Sequence, residues 1–386
     1  MTTAPAAVAV VKPTSRRMRV LFVINSLVYG GAETQVIALS RALAERGHEV
    51  FVHTLSDDNP RHAELVDSSV SVIADRKRRK FDPALVLRMR RVINELRPDI
   101  VHGFLLEGNL YARLAALKTG VPALNSERND NYHIPLQHRL ALILTRRMAA
   151  GVVANTYAGG RFAQRVFRLP PEHVDVVWNG VKVPADRREG ESAESIKKTF
   201  FPCASDIKLA SVVAMLRPQK DHELALRVAQ ALIQRDRSWR VLFVGDSLPH
   251  TRDYKERIYR RRQELGLEEF VQFAGLRSDA PEIVRQSNVL LSTSIHEGFP
   301  NVVIEAMAVR TPVVSTQYSD IKLILPNPWQ VVESRDAAQL AATVMRANAE
   351  RSQVVTQQEE WLRMNATIDR ETDRLEAVYR KYVVHA

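Results

Sequence analysis

The segment from Met18 to Leu55, MRVLFVINSLVYGGAETQVIALSRALAERGHEVFVHTL, decides the fold class. It opens with a continuous apolar run from Met18 to Asn25 and continues with a helical period from Glu33 to Arg46. A second apolar run, His48 to Leu55, closes it. The order strand, helix, strand predicts a βαβ unit, in which the two strands are parallel.

The same alternation continues on both sides of a polar stretch, residues 184–205, which has mixed charges and no apolar period. A second series of strands and helices starts at Leu209 and ends near Ser315. Strands with few charges between amphipathic helices predict parallel sheets that are covered on both faces. We therefore predict an α/β protein with two tandem, Rossmann-like, doubly wound domains that face a cleft. Their ligands should bind beyond the carboxyl ends of the strands.

The composition is that of an ordinary globular protein. The 386 residues are 45% hydrophobic and 26% charged, which excludes collagen and mostly disordered chains. A single cysteine, Cys203, cannot form an intrachain disulfide, so we expect a reducing, cytoplasmic compartment. Lys and Arg exceed Asp and Glu by 11, which favours anionic partners. We expect a disordered leader over residues 1–17 and a first domain over 18–182.

The strongest local motif is EGFPNVVIEAMA, residues 297–308. Pro300 is suited to opening a helix, which would leave the N–H groups of Asn301 and Val302 free to face the loop. Glu305 then lies about one turn inside the helix and can point at the same ligand as Glu297. Carboxylates accept hydrogen bonds from hydroxyl groups, which sugars and ribose supply. The alternative is a loop carboxylate and a helix-start glutamate stabilised by the helix dipole.

A double glycine, Gly30 and Gly31, stands between the first strand and its helix. The loop lacks the G-x-G-x-x-G spacing of a dinucleotide fingerprint, which disfavours NAD. Such glycines let backbone N–H groups approach a phosphate or a sugar at a helix N-terminus. The alternative is a simple tight turn.

The E-x7-E pair of Glu297 and Glu305 resembles the signature of the family 4 glycosyltransferases, which have the GT-B fold. The resemblance extends to three other stretches, VYGGAETQVIALSRALAERGHEV, WNGV and LRPQKDHELAL. Together the four cover most of the chain from Met18 to about Val332, in the order expected of the family.

The resemblance implies a retaining, metal-independent transferase. It would move a sugar from a nucleoside diphosphate sugar to a cell-envelope, lipid-linked or polysaccharide acceptor. The first domain would present the acceptor, and the second, residues 183–366, would bind the donor. The last helix, about 367–386, would pack back on the first domain, with hinges near Val181 and Asn365.

The resemblance also assigns roles to individual residues. Glu305 would accept hydrogen bonds from the ribose, and Glu297 would contact hydroxyls of the transferred sugar. Lys220 would neutralise the departing diphosphate, where negative charge grows. The other expected donor contacts are Gly30, Gly31, Arg217, Gly298, Phe299, Pro300, Asn301 and Val302.

The chain departs from the family pattern at three places. Met215 stands where the family often has arginine, which leaves Arg217 as its substitute. Arg310 replaces the glycine that commonly ends the helix after Glu305, and would be strained in a left-handed conformation. Residues 317–322, QYSDIK, replace a Gly-Gly and a following Glu in a loop that usually approaches the donor.

On the acceptor side, SERND replaces the histidine that many members carry after the strand ending near Asn125. Arg128 is the catalytic candidate there, in contact with donor or acceptor, and the alternative is a structural salt bridge. Asn129 and His102 are further acceptor-side candidates. A lone histidine of this kind has a structural role as its alternative.

We expect no metal and no other cofactor, because the chain has no D-x-D pair to hold a divalent ion on the diphosphate. The basic run Arg76, Lys77, Arg78, Arg79 and Lys80 predicts contact with an anionic membrane surface, on the inner face of the cell membrane. The alternative is a solvated loop. No nucleic-acid partner is expected, because no aromatic residues interleave with the basic runs.

Two other functions remain open from the sequence. One is a sugar-nucleotide epimerase of the same fold, which would consume the donor without an acceptor. The other is a catalytically weak scaffold subunit, suggested by Met215 and the lost Gly-Gly pair.

Overall fold

The computed structural model describes residues 16–129, 134, 136–184, 193–202 and 206–383. Nearly all of the leader expected over residues 1–17 lies outside this part of the chain, as does Cys203. The described residues form two α/β domains, each built on one parallel sheet.

The first sheet has seven parallel strands in the order β3-β2-β1-β4-β5-β6-β7. The central strand β1 lies between β2 and β4, with Val20 beside both Val50 and Ile100. Residues 20–24 of β1 are apolar on both faces of the strand because helices cover both sides of the sheet. The strands are β1 Arg19–Ile24, β2 Glu49–Thr54, β3 Val70–Ala74, β4 Ile100–Gly103, β5 Ala123–Glu127, β6 Gly151–Ala154 and β7 Val174–Val176.

Six helices belong to the first sheet, and they alternate with its strands. They are α1 Gly31–Glu45, α2 Ala63–Val66, α3 Pro83–Leu96, α4 Leu105–Ala116, α5 Leu136–Thr145 and α6 Tyr157–Phe167. Asp82 caps α3 by accepting a hydrogen bond from the N–H of Leu85 at 3.3 Å. Thr156 caps α6 through the N–H of Gly159 at 2.9 Å.

The second sheet has six parallel strands in the order β10-β9-β8-β11-β12-β13. They are β8 Lys208–Val213, β9 Trp239–Val244, β10 Val271–Phe273, β11 Val289–Ser292, β12 Val313–Thr316 and β13 Val331–Val332. The helices are α7 Ala193–Phe200, α8 His222–Arg235, α9 Arg252–Glu264, α10 Ala280–Arg285, α11 Asn301–Ala308, α12 Ile321–Ile324, α13 Ala337–Ala349, α14 Arg351–Asn365 and α15 Ile368–Val383.

The polar stretch 184–205 is not wholly irregular, contrary to the expectation from sequence. It contains helix α7, whose Ile196 is buried against Phe201 and Ile207 beside the second sheet. The apolar contacts are too few to show a helical period in the sequence, but they attach this stretch to the second domain.

The two domains are joined at a crossover where two chain segments run side by side. Val181 donates its N–H to Ala366 O at 2.9 Å, and Ile368 donates to Val181 O at 3.0 Å. Gly180 is needed here because a Cβ would lie 2.4 Å from Thr367 O. Helix α15 then packs on the first sheet, where Tyr379 is fully buried.

Candidate active site between the two domains

Lys220 and Glu297 form an ion pair at the carboxyl ends of the second sheet's strands. Lys220 ends a short 3-10 turn, Pro218–Lys220, after β8, and Glu297 lies in the loop between β11 and α11. Their side chains are 20% and 14% exposed. Glu297 Oε1 accepts hydrogen bonds from Lys220 Nζ and, at 2.7 Å, from Ser294 Oγ. Glu297 Oε2 has no partner among the described residues and can accept from a ligand.

The loop that carries Lys220 is fixed to the end of β11 by side chains. Thr293 Oγ1 donates to Lys220 O at 2.9 Å. Arg335 pairs with Asp221 at 2.5 Å and also donates to Thr293 O at 2.8 Å. Ile295 N donates to Gln219 O at 2.7 Å. These contacts fix the backbone on both sides of Lys220, and Glu297 holds its ammonium group.

Glu305 lies one turn into α11 and has no hydrogen-bond or ion partner within the described part of the chain. Burial raises the pKa of its carboxyl group. The side chain is only partly buried, so its carboxylate can accept hydrogen bonds from the hydroxyl groups of a ligand. Glu305 follows Asn301 by four residues and shares its helix face, which is turned towards the first domain.

The start of α11 differs from the prediction in one respect. The N–H of Asn301 is not free, because it donates to Phe299 O at 3.0 Å. Pro300 is the residue before the helix, and Phe299 and Pro300 are buried, so neither offers its side chain to a ligand. Val302 lies in the first turn, where helix N–H groups have no intrahelical acceptor.

Asn301 and Gly298 bring this loop against the first domain. Asn301 Oδ1 accepts a hydrogen bond from Asn179 Nδ2 at 2.7 Å, and its Nδ2 donates to Gly31 O at 3.4 Å. A Cβ on Gly298 would lie 1.9 Å from Arg128 O. The structure therefore brings the double glycine and the E-x7-E loop together across the cleft.

Arg128 lies at this contact, and the structure shows no ion pair between it and a carboxylate of the described residues. Its guanidinium donates to Asn179 Oδ1 at 2.6 Å and stacks over the Phe104 ring at 4.7 Å. Burial lowers its pKa, although the nearby Glu371 charge opposes the shift. Its Nε has no acceptor. Asn129 follows it and donates its N–H to Glu127 Oε1 at 3.0 Å.

His102 does not reach the cleft, so its prediction as an acceptor contact is wrong for this structure. Its ring is fully buried, with Nδ1 2.7 Å from Tyr379 OH and Nε2 2.9 Å from Ser126 Oγ. Burial lowers its pKa well below the ordinary value. The structure thus supports the structural alternative, because both nitrogens are occupied within the core.

Arg217 is a second half-buried cation on the loop that carries Lys220. It has no carboxylate partner among the residues that the structure describes, and its Nε lacks an acceptor. This arrangement suits the substitute role expected for it beside Met215.

Two polar residues were missed by the site prediction. Asn179 bridges Arg128 and Asn301, and the only sequence signal was its place in WNGV. Asp320 is buried and bonds to helix α6 of the first domain. Its signal was the departure of residues 317–322 from the family pattern.

Within the described residues there is no cluster of three His, Cys, Asp or Glu side chains that could hold a metal ion. No helix in that part of the chain is long and apolar enough to cross a membrane.

Two family models match the chain, one in each domain. Residues 29–183 match Glycosyltransferase Family 4, and residues 207–349 match Glycosyl transferases group 1. Among curated relatives, the putative glycosyltransferase EpsF of Bacillus subtilis is 26% identical over 313 residues, which cover 78% of this chain and 79% of EpsF. The Escherichia coli UDP-Gal:alpha-D-GlcNAc-diphosphoundecaprenol alpha-1,3-galactosyltransferase is 21% identical and covers 68% of this chain and 67% of its own.

Solved structures show the same architecture. Anabaena HepE, crystallised with UDP and glucose, superposes with a TM-score of 0.82 at 18% identity, covering 94% of this chain and all of HepE. A glycosyltransferase from Rickettsia africae has a TM-score of 0.82 at 18% identity and covers 96% of this chain. Because the two family models match one domain each, and the fold and the E-x7-E pair agree with them, the chain belongs to the family 4 glycosyltransferases of the GT-B fold.

Proposed function

We propose that this glycosyltransferase is retaining and metal-independent, and that it transfers a sugar from a nucleoside diphosphate sugar to a lipid-linked or polysaccharide acceptor of the cell envelope. The observation that supports this most is the Lys220–Glu297 pair, held at strand ends where the second domain meets the first. Glycosyl transfer develops positive charge on the sugar ring and negative charge on the departing diphosphate. A carboxylate and a cation side by side can stabilise these two charges.

In the proposed reaction the bond between the anomeric carbon and the diphosphate oxygen breaks. The acceptor oxygen forms its bond to the same carbon on the same face, and the departing phosphate oxygen takes the acceptor's proton. Lys220 stabilises the negative charge that grows on the diphosphate, with Arg217 as a second cation on the same loop. Arg128, from the first domain, is the cation available to the reacting sugar or acceptor.

The two glutamates are proposed to hold the donor through its hydroxyl groups. Glu305 has no partner of its own, so a ribose hydroxyl would satisfy its carboxylate. Glu297 uses one oxygen for Lys220 and Ser294, which leaves the other for the transferred sugar.

UDP-sugars are the first donors to test. The solved HepE structures contain UDP or UDP-glucose, and the name of the Escherichia coli relative includes UDP-Gal. The acceptor class rests on relatives as well, since one is a Vi polysaccharide biosynthesis protein and another acts on a diphosphoundecaprenol compound, as their names state.

A lipid-linked acceptor would bring the protein to the anionic inner face of the membrane, and the basic run 76–80 supports this in part. Arg76 lies 3.6 Å from Asp57, and Lys77 pairs with Glu107 at 2.6 Å. The other three cations of the run are exposed and have no carboxylate partner among the described residues: Arg78, Arg79 and Lys80.

The test is nucleotide release from UDP-sugars, with and without a lipid extract from the producing cell. Acceptor-dependent release with an α-configured product from an α-configured donor supports the proposal. Conversion of the donor to its epimer without acceptor would identify the epimerase alternative, and no turnover with any nucleotide sugar would favour the scaffold. Activity that survives complete removal of divalent ions supports metal independence.

A further inference from the structure

The loop after β12, residues 317–320, makes a contact between the domains. Asp320 is only 4% exposed. Its carboxylate accepts hydrogen bonds from the N–H groups of Tyr157 at 2.5 Å and Ala158 at 3.1 Å. Both donors lie in the first turn of α6, in the first domain, whereas Asp320 belongs to the second.

This contact suits a charged side chain. The side-chain oxygen of Thr156, the helix's own cap, accepts the N–H of Gly159, so the N–H groups of Tyr157 and Ala158 need another acceptor. The positive end of the α6 dipole favours an anion there, and hydrogen bonds to a carboxylate are stronger than those to a neutral group. Asp320, in the second domain, therefore supplies the hydrogen-bond acceptor that the first two N–H groups of α6 lack.

The same loop is connected to the proposed donor site. Thr316 Oγ1 donates to Ser294 O at 2.7 Å, and Ser294 Oγ donates to Glu297 Oε1. Tyr318 is buried two residues before Asp320, with its hydroxyl 3.0 Å from Ser292 Oγ. Burial, and then the negative charge of Glu297, raise the pKa of Tyr318.

Aromatic side chains extend the domain contact beside Asp320. Tyr157 packs edge-on against Trp178 at 6.0 Å, and Trp178 stacks on Trp361 of α14 at 5.5 Å. The carboxylate is thus one part of a packed interface.

We propose that Asp320 is a positioning residue that fastens the loop beside Glu297 to α6 and so holds the domains in the arrangement that completes the donor site. The inference deepens the proposed function and rests on it for its kinetic consequences. The domain arrangement itself can be measured without any turnover.

The experiment compares Asp320→Ala and Asp320→Asn with two matched controls. Thr156→Ala removes a cap from the same helix without touching the other domain. Asp336→Ala removes a comparable cap, the hydrogen bond from Ala338 N at 2.8 Å, within the second domain alone. The readouts are small-angle scattering without donor, and the KM for the nucleotide sugar measured separately from kcat.

Asp320→Ala should increase the radius of gyration and raise the donor KM about tenfold, the usual size of such coupling. Asp320→Asn should lie between it and the wild type, since an amide oxygen still accepts one of the two bonds. Both controls should match the wild type in scattering and KM. The proposal is overturned if Asp320→Ala matches the wild type in both readouts, or if the controls shift as much as it does. A wild-type chain that releases no nucleotide would contradict the proposed function, and scattering alone would then decide on Asp320.

Discussion

The individual side chains of the cleft are paired unevenly, and the unpaired atoms mark where a ligand fits. Glu305 and one oxygen of Glu297 lack donors among the described residues, while Arg217 and Arg128 each leave Nε without an acceptor. The two Nε atoms are buried, and buried polar atoms are normally satisfied in a folded protein. Carboxylates and cations that stay unsatisfied on the two sides of one cleft suit a substrate with both hydroxyl and phosphate groups.

Replacement of Lys220 tests the leaving-group role. Lys220→Met should lower kcat about 100- to 1000-fold, the usual effect of losing one preorganised charge at a transition state. The matched control is Lys208→Met, which breaks the pair with Asp236 at 2.7 Å in the same domain and should leave kcat unchanged. Steady-state kinetics with a saturating donor gives both values. A Lys220→Met enzyme that retains most of its kcat would remove this role.

Gly298 tests the close approach of the two domains. Gly298→Ala places a Cβ 1.9 Å from Arg128 O, a distance that forces the loop or the domains apart, so donor-dependent activity should fall at least tenfold. Gly160→Ala is the control, because its Cβ would meet only side-chain carbon atoms, the nearest at 3.4 Å. Equal activity of the two variants in the nucleotide-release assay would contradict the contact.

The sequence predicts the positions of the site residues along the chain better than the directions in which their side chains point. The E-x7-E interval places Glu305 on a helix whatever the packing, and the structure agrees. His102 was placed correctly at a strand end, but only the packing of Tyr379, 277 residues away, shows that its ring faces the core. Long-range contacts of this kind leave no local pattern.

The bounds of a helix or strand are predicted well where the sequence has a clear cap and a regular apolar period, and poorly where it does not. Helix α8 runs from His222 to Arg235, the bounds that its regular apolar period predicts, and Asp221 caps it. For helix α4 the apolar period predicts a start at Leu110, but the helix begins at Leu105, a leucine with φ of 63° that no local rule anticipates. Strand β3 gives no clear apolar run in the sequence, because it is a partly exposed edge strand. Arg310 has φ of 65°, the left-handed conformation in which the sequence analysis expected it to be strained.

Helix α15 offers a pH test through Glu371, a buried carboxyl group that accepts the N–H of Gly180 at 2.6 Å. Burial raises its pKa from 4.5 to about 8. The folded chain therefore holds this proton more tightly than the unfolded chain, and the stability it contributes is complete below about pH 4.5 and lost as pH rises to about 8. Glu371→Gln mimics the protonated form, so its melting temperature should exceed the wild type's by a margin that grows from pH 5 to pH 8.

Glu376, on the same helix, provides a control of opposite sign. Although burial opposes it, hydrogen bonds from His48 and Arg46 lower its pKa to about 2. Its contribution is present above about pH 4.5 and lost at lower pH, so Glu376→Gln should be destabilising at neutral pH. Thermal denaturation measures both variants. If the melting temperatures of Glu371→Gln and the wild type differ by the same amount at every pH, the pKa of Glu371 is not raised.

For the molecule as a whole, the basic surface of the first domain should matter only at membranes. Replacement of Arg78, Arg79 and Lys80 by Ser should reduce binding to vesicles that contain anionic lipid about 100-fold, at about 1 kcal/mol per charge. Turnover of a soluble acceptor should not change, because these residues make no contact in the cleft. Co-sedimentation with anionic and neutral vesicles measures the effect. Equal binding by the variant and the wild type would show that the run is only a solvated loop.

The two-domain architecture was predictable because each βαβ unit repeats the same apolar rhythm, and the crossover at Val181 lies where the hinge was expected. The interface between the domains was not predictable in the same way. Gly298 against Arg128, and Asp320 against α6, join segments about 160 residues apart or more, and each is set by the way the sheets face one another.

Whether Glu305 holds an activated sugar is best measured by calorimetric titration of UDP-sugars into the wild-type chain and into Glu305→Ala. The wild type should bind at least one UDP-sugar saturably. Affinity should fall at least tenfold in Glu305→Ala, because a ribose hydroxyl loses its charged acceptor. Equal affinity in the two proteins, or no binding of any nucleotide sugar by the wild type, would overturn the proposed donor site.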